Sequence, residues 1–482
     1  MKVKLLNATH PDYDGEHLNR LEALASGGKA WRAIKGELYP QRFAEPTDVY
    51  QERLDNALYT NHAGGILTVL AAMLLSKEPT VEMNGDWVQA FLDNVDGGGT
   101  PLEQLAERAM LCALKQRTVY AWVQAKGNQG QEFVNRAQQE QAGALDTWVT
   151  LLEGRQVIDW EEDGQGNLRW VMVYGQDRRR TSIEAGRVKV HRWTYIDPDV
   201  IRMWEWEETK DQADPQPEDN AEELEGSPFK HGWSRLPVCR MRLPMGIFAM
   251  GRLEDPAIGH ARARNDHSWA LHQAANELLA ITSKSGAAPD GLGHGHFLQL
   301  RRDEHGEDSA AFVAPTGTAF EYLKEDIKDW REEVYRVLQQ MAMAADSDST
   351  RMSQSGESKN ADWRATEVLL SAYAAQLRPF LVGILSLVTE MRGGQQTVQV
   401  GGLEGYQEMD IMAFLESSAL AVEALGMSFT FKKAIAKQQV RRLLGQVEDE
   451  TVVQTILGEI DAAVEVPLFE PTPPPPADPA SE

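Results

Sequence analysis

Two cysteines in 482 residues exclude a disulfide framework and leave too few thiolates for a zinc cluster. Cys112 and Cys239 stand far apart, each in an apolar run, and are expected to be buried thiols. Long hydrophobic runs are also missing. The longest, ILTVLAAMLL at 66–75, is half the length of about twenty residues that a membrane span needs. The opening MKVKLLNATHPDYDGEH lacks the apolar core of a signal peptide. No membrane is therefore expected, and the chain is expected in a reducing compartment or in something assembled there. Basic charge is short as well: 48 Lys and Arg stand against 73 Asp and Glu, a net charge of -25. Such a chain repels nucleic acid and anionic membranes at long range. It shows no dominant basic stripe of the kind a sequence-reading DNA binder carries. GxxxxGK[ST], HExxH, GxSxG and CxxC are all absent, so an ATP-driven motor has no support.

The remaining composition is ordinary globular material, 42% hydrophobic and 25% charged, enough for several packed units. RLDNALYTNHAGGILTVLAAMLL (53–75) is apolar and helical, with Gly64 and Gly65 marking close packing or a break. DGGGTP (96–101) ends one helix, and PLEQLAERAMLCALKQ begins the next with proline in its first turn. Strand character follows in RTVYAWVQ, DTWVTLL, VIDWEEDGQGNLRWVMVYG, RVKVHRWTYI and VIRMWEWEE. These predict one antiparallel β unit of about five to six strands. The acidic stretch 207–226 reads as a solvated excursion.

From 255 the pattern is helical again. Asp255 is the expected N-cap and Pro256 the first helical residue of a helix to 282. A Gly/Pro-rich segment with two strand-like pieces, HFLQL and AAFVA, occupies 284–318. Phe320, Leu323, Ile327, Trp330, Val334, Val337 and Met341 then step by threes and fours, an apolar seam on a long helix. The same spacing returns in Leu370, Tyr373, Leu377, Phe380, Ile384, Leu387 and Met391. Pro379 lies inside that helix and predicts a kink. Between the two helices lies MAMAADSDSTRMSQSGESKNADW (341–363), polar and serine-rich. The region 409–464 is mostly helical, and the tail from 466 is polyproline-like.

Candidate metal ligands are weak. His294 and His296 could be half a site but have no third ligand, and DEHGED (303–308) lacks calcium-loop spacing. Asp346 and Asp348 resemble the start of such a loop, but Arg351 stands where it needs glycine. Lys324, Lys328 and Arg331 carry more information. At i, i+4 and i+7 they share one helix face, between the apolar seam and the acids Glu321, Glu325 and Glu332. They serve either salt bridges or a thin basic band facing a polyanion.

The element order resembles the portal protein, or head–tail connector, of tailed double-stranded DNA bacteriophages. Three phrases carry the resemblance: LEDPAIGHARARNDHSWALHQAANELL, TAFEYLKEDIKDWREEVYRVLQQM and SKNADWRATEVLLSAYAAQLRPFLVGI. They are similar to the long-helix segments of a portal-like prophage group, and GLEGYQEMDIMAFLESSALAVEALGMSFTF resembles the segment that follows them there. The resemblance covers roughly residues 10–445 and implies an α+β portal-like fold. The wing would be 1–254 with the helix and strand of 359–400. The stem helices would be 255–283 and 319–343, the clip 284–318, the tunnel loop 344–358 and the crown 401–465, before a Pro-rich tail at 466–482.

The resemblance further implies a dodecameric ring at one capsid vertex of the virion, assembled in the host cytoplasm. Double-stranded DNA would pass through without sequence-specific contacts. Terminase, capsid and scaffold proteins and a head–tail adaptor would be the partners. The DNA-facing tunnel loop would be Asp346, Ser347, Asp348, Ser349, Thr350, Arg351, Met352 and Ser353. Phe297, Arg301 and Arg302 would face docking partners on the clip. No catalytic residue, metal or cofactor is implied, and no enzyme. Twelve copies would carry a charge of about -300 before screening, a wall that disfavours sticking DNA. The alternatives are a non-channel helical scaffold, such as a minor head or adaptor protein, and a hydrolase with an unrecognised site.

Overall fold

The computed structural model describes residues 6–76, 78–126, 134–180, 183, 186–208, 221–231, 233, 235–275, 278–283, 297–301, 309–313, 317–345, 358–394, 396–403, 406, 433, 437 and 450–462. Two compact units are present, 1–406 and 407–482. In the second, Glu450–Ala462 is an α-helix.

The first unit opens with α1 (Gly15–Ser26), α2 (Gly28–Leu38), α3 (Thr47–Asp55) and α4 (His62–Leu74). Asp14 caps α1 by accepting from the His17 amide at 2.9 Å. Asn61 serves two ends at once. Its Oδ1 accepts from the Gly64 amide at 2.8 Å, and its Nδ2 donates to the Ala25 carbonyl at 2.7 Å. A Cβ on Gly64 would sit 2.0 Å from that same carbonyl. Close packing, not a break, is thus what Gly64 provides, and α4 runs unbroken through it.

Next come α5 (Val88–Leu92), α6 (Leu102–Gln116) and α7 (Arg136–Gln141). The strands divide into separate sheets, where one β unit was expected. β1 (Thr80–Glu82) pairs with a strand near the end of the unit. β2 (Thr118–Ala125) and β3 (Thr147–Glu153) are antiparallel neighbours. β4 (Val157–Glu162), β5 (Leu168–Arg179), β6 (Val188–Ile196), β7 (Val200–Glu208) and β8 (Glu222–Glu223) follow in that order across a larger antiparallel sheet. β9 (Phe229–Lys230) also pairs with β7. β10 (Val238–Arg242), unforeseen from the sequence, lies on the other side of β2 from β3.

The larger sheet shows strand alternation on both faces. Val157, Val171, Val173 and Ile196 join one cluster with Tyr120 and Leu152 of the smaller sheet. Ile158, Met172, Trp193, Trp204 and Trp206 form another cluster, joined by Leu6. The buried Trp193 indole donates to Asn7 Oδ1 at 3.1 Å.

Three long helices follow: α8 (Ala249–Ala275), α9 (Gly317–Ala345) and α10 (Ser358–Met391). α8 begins earlier than expected, so Pro256 lies inside it and forfeits the bond to the Arg252 carbonyl. It also ends earlier. Residues read as its last turns form β11 (Leu278–Ser283), parallel to β12 (Phe297–Arg301) and antiparallel to β13 (Ser309–Val313). A three-stranded sheet therefore intervenes between α8 and α9. β14 (Gln399–Gly401) closes the β1 pair.

α10 holds the core. Leu370, Tyr373, Leu377, Phe380, Ile384 and Leu387 are all buried, and so are Leu369, Leu381, Leu385 and Val388. The stretch Thr366–Met391 is long and apolar enough to cross a membrane, but half of it is packed inside the protein, as a core helix is. It continues through Pro379, which gives up the bond to the Ala375 carbonyl. The seam of α9 is covered unevenly. Val334 and Val337 are buried, whereas Phe320, Leu323, Ile327 and Trp330 are only half-buried.

α8 and α9 approach closely where Gly259 meets Trp330. A Cβ on Gly259 would lie 2.6 Å from the indole ring. Gly259→Ala should therefore destabilise the unit by about 1–3 kcal/mol, the usual cost of overpacking. Urea unfolding checks this, and an unchanged midpoint would contradict the packing.

Candidate functional site: a basic groove on the paired long helices

Lys324, Lys328 and Arg331 are all exposed on α9. Lys328 Nζ reaches Glu332 at 3.5 Å, an exposed helical pair of small energetic weight. Lys324 and Arg331 have no ion pair among the described residues. Across from them, α8 presents His260, Arg264 and His267 at the same i, i+4, i+7 spacing. Arg331 and Arg264 both act on His260, and Lys324 and Arg264 both act on His267. The antiparallel pair thus sets Lys324 and Arg331 of α9 and Arg264 of α8 around these histidines, with Lys328 on the same α9 face and paired to Glu332.

α4 supplies the floor. His62, its first residue, stacks edge-on against His260 at 4.9 Å between ring centroids and lies 6.3 Å from Tyr335. Arg264 donates to Thr60 Oγ1 just before α4. Arg262, one step around α8, points elsewhere and donates to the Leu38 carbonyl at 2.9 Å. The groove's electrostatics follow from this crowding. Burial, then His62, Arg264 and Arg331, push His260 down from 6.5 to about 4. Burial, then Arg331 and Arg264, also lower His62, and burial, Lys324 and Arg264 lower His267. At neutral pH the imidazoles are uncharged spacers between fixed cations. The groove can attract an anion without acting as an acid–base site.

Arg264 and the histidines are not among the sequence candidates, because the face they meet lies on another helix. HARARNDH carries the signal, since every third or fourth residue from His260 is His or Arg. The other candidate residues are not brought to this groove. Asp346, Ser347, Asp348, Ser349, Thr350, Arg351, Met352 and Ser353 lie outside the described residues, as do Arg302, His294, His296 and 303–308. Phe297 and Arg301 are the first and last residues of β12, and Pro379 is in α10. Among the described residues no cluster of three or more His, Cys, Asp or Glu could hold a metal ion. Cys112 and Cys239 are unbridged and half-buried, and burial pushes both thiols up to about 12.

No protein-family model and no curated protein matches the chain. Among solved structures, a chain in the virion of a native gene transfer agent particle aligns with a TM-score of 0.37 and 13% identity. The alignment covers 91% of this chain and 98% of that one. A chain in the neck of an empty gene transfer agent particle aligns with a TM-score of 0.35 and 12% identity, over 91% and 98%. Neither likeness is close enough to establish a shared fold.

His260 gives a pH signature. Its folded value lies below its unfolded value, so the unfolded chain binds the extra proton between pH 6.5 and 4. Its contribution is complete above pH 6.5 and lost as pH falls toward 4, by about 1–2 kcal/mol after allowing for screening. Glu45 is held at about 2 by hydrogen bonds from the Arg53 guanidinium and acts only below its ordinary 4.5. His260→Phe should flatten the slope of urea-unfolding stability between pH 6.5 and 5. An unchanged slope would remove His260 from this account.

Proposed function

We propose that this chain is a portal-type subunit: one member of a closed ring at a capsid vertex, through which double-stranded DNA passes. The observation that carries the reading is the order α8, three-stranded sheet, α9, α10. It follows the stem, clip, stem and wing-helix order of the family that the sequence resembles. α8 and α9 would be the stem, β11–β13 the clip, and the segment between α9 and α10 the tunnel loop, with Arg351 its cation. The half-covered seam of α9 supports an assembly. Phe320, Leu323 and Ile327 keep apolar surface that a neighbouring copy would cover, and head-to-tail contacts of that kind close into a ring where the rotation between copies allows it.

The charge pattern supports a channel rather than a binder. DNA that is held tightly needs many phosphate contacts, each releasing counterions. A chain of net charge -25 with a band of four cations offers few. Terminase and a head–tail adaptor would dock on the clip, with Phe297, Arg301 and Arg302 among the facing residues. No enzymatic role is proposed.

Sedimentation velocity on the purified chain should give a particle of about twelve subunits, the family's ring size. A mass of one or two chains would sink the ring and leave a non-channel scaffold. The assembled particle should bind duplex DNA weakly and with a shallow salt dependence. Tight binding with a steep slope would contradict the non-stick wall.

A further inference from the structure

A cleft of about 240 Å³ opens between the start of α1, the α6–β2 junction and β10. Leu21, Trp160 and Phe248, all largely buried, give it an apolar and aromatic wall. Three arginines line it: Arg117, Arg240 and Arg242. Arg240 is already engaged, by the Glu162 carboxylate and, at 3.0 Å, by the Gly166 carbonyl. Among the described residues Arg117 spends only its Nε, on the Leu243 carbonyl at 3.1 Å. Arg242 is exposed, and neither it nor Arg117 has an ion pair among the described residues.

The backbone at Arg117 makes the residue choice informative. Arg117 closes α6, its amide bonded to the Ala113 carbonyl at 2.8 Å, with φ at +66°. Glycine takes that helix-ending conformation without steric cost, and arginine does not. An arginine thus stands where the backbone favours glycine. It is also set beside a like charge: after burial, Arg242 is the main influence weakening Arg117's hold on its proton, with Asp12 opposing. Two guanidinium groups that line one cleft, neither in an ion pair among the described residues, can receive a carboxylate there. Asp12 and Asp14 also line the cleft and oppose an occupant with more than one negative charge.

We propose that this cleft binds a carboxylate monoanion with an apolar body, the carboxylate between Arg117 and Arg242 and the body against Trp160 and Phe248. The proposal is independent of the portal reading. The carboxylate can come from a free small molecule or from an acidic residue of a partner's peptide segment, and the cavity volume suits one such group.

Calorimetric titration of the full chain tests it with four probes: phenylacetate, a blocked Phe-Asp dipeptide amide, phenylacetamide and inorganic phosphate. A carboxylate probe should bind at least tenfold more tightly than phenylacetamide or phosphate. Tighter phenylacetate identifies a small-molecule site, and a tighter dipeptide identifies a peptide site. Arg117→Gly and Arg242→Ala should each weaken the carboxylate about tenfold or more. Arg117→Gly should keep the melting temperature, because relief at the positive φ offsets the lost Nε bond and the wider unfolded ensemble. Should it fail to fold, Arg242→Ala decides alone, because that exposed side chain anchors nothing in the fold described. The proposal is overturned if neither carboxylate binds, if phenylacetamide binds equally well, or if Arg242→Ala leaves the affinity unchanged.

Discussion

The apolar length of α10 is the constraint to which the rest of the larger unit answers. Ten of its side chains from Leu369 to Val388 are aliphatic or phenylalanine and buried. Covering them supplies on the order of 20 kcal/mol of gross burial energy, before the entropy of ordering the chain is set against it. No single neighbour could cover a helix that is apolar on so many sides. α4 and α6 pack against it, as do α9, β2, β3, β10 and β14. Elements far apart in the chain are therefore tied to one axis. Local bonds sharpen this arrangement, as where the Tyr373 hydroxyl donates to the Ile247 carbonyl at 2.9 Å from within the core.

Such a core gives α8 and α9 a firm base and leaves part of them free. α9 is anchored where Val334 and Val337 enter the core, and its covering thins toward Phe320. Gly259 lets α8 come against Trp330, so the two helices hold one spacing, and that spacing aligns the cations of one with the histidines and Arg264 of the other. The groove's electrostatics thus follow from packing. Imidazoles confined among arginines stay neutral, and the remaining positive charge is sparse and set against an acidic chain.

The long helices were legible in the sequence because their apolar residues recur at helical spacing over many turns, and α10 buries every seam position from Leu370 to Leu387. Features decided by distant partners were less legible. LLAIT reads equally well as helix or strand, and only pairing with β12 and β13 makes it β11. Pro256 looked like a first helical residue, yet the helix starts at Ala249 and tolerates it. β2 and β3 alternate like the strands after them, but β10, not β4, completes their sheet. Of the candidate site, three of four band cations were visible through their spacing. Arg264 was hidden because its partner face lies on another helix. Nothing local marked the pairing of Arg117 with Arg242, which depends on β10 lying beside β2.

The central claim is that the half-covered face of the long-helix pair is completed by further copies of the chain around a channel. Class-averaged electron micrographs of the purified full-length protein test it most directly. The account predicts closed rings in end view with a stain-filled hole at the centre. Compact particles without a hole, or open filaments that never close, would contradict it.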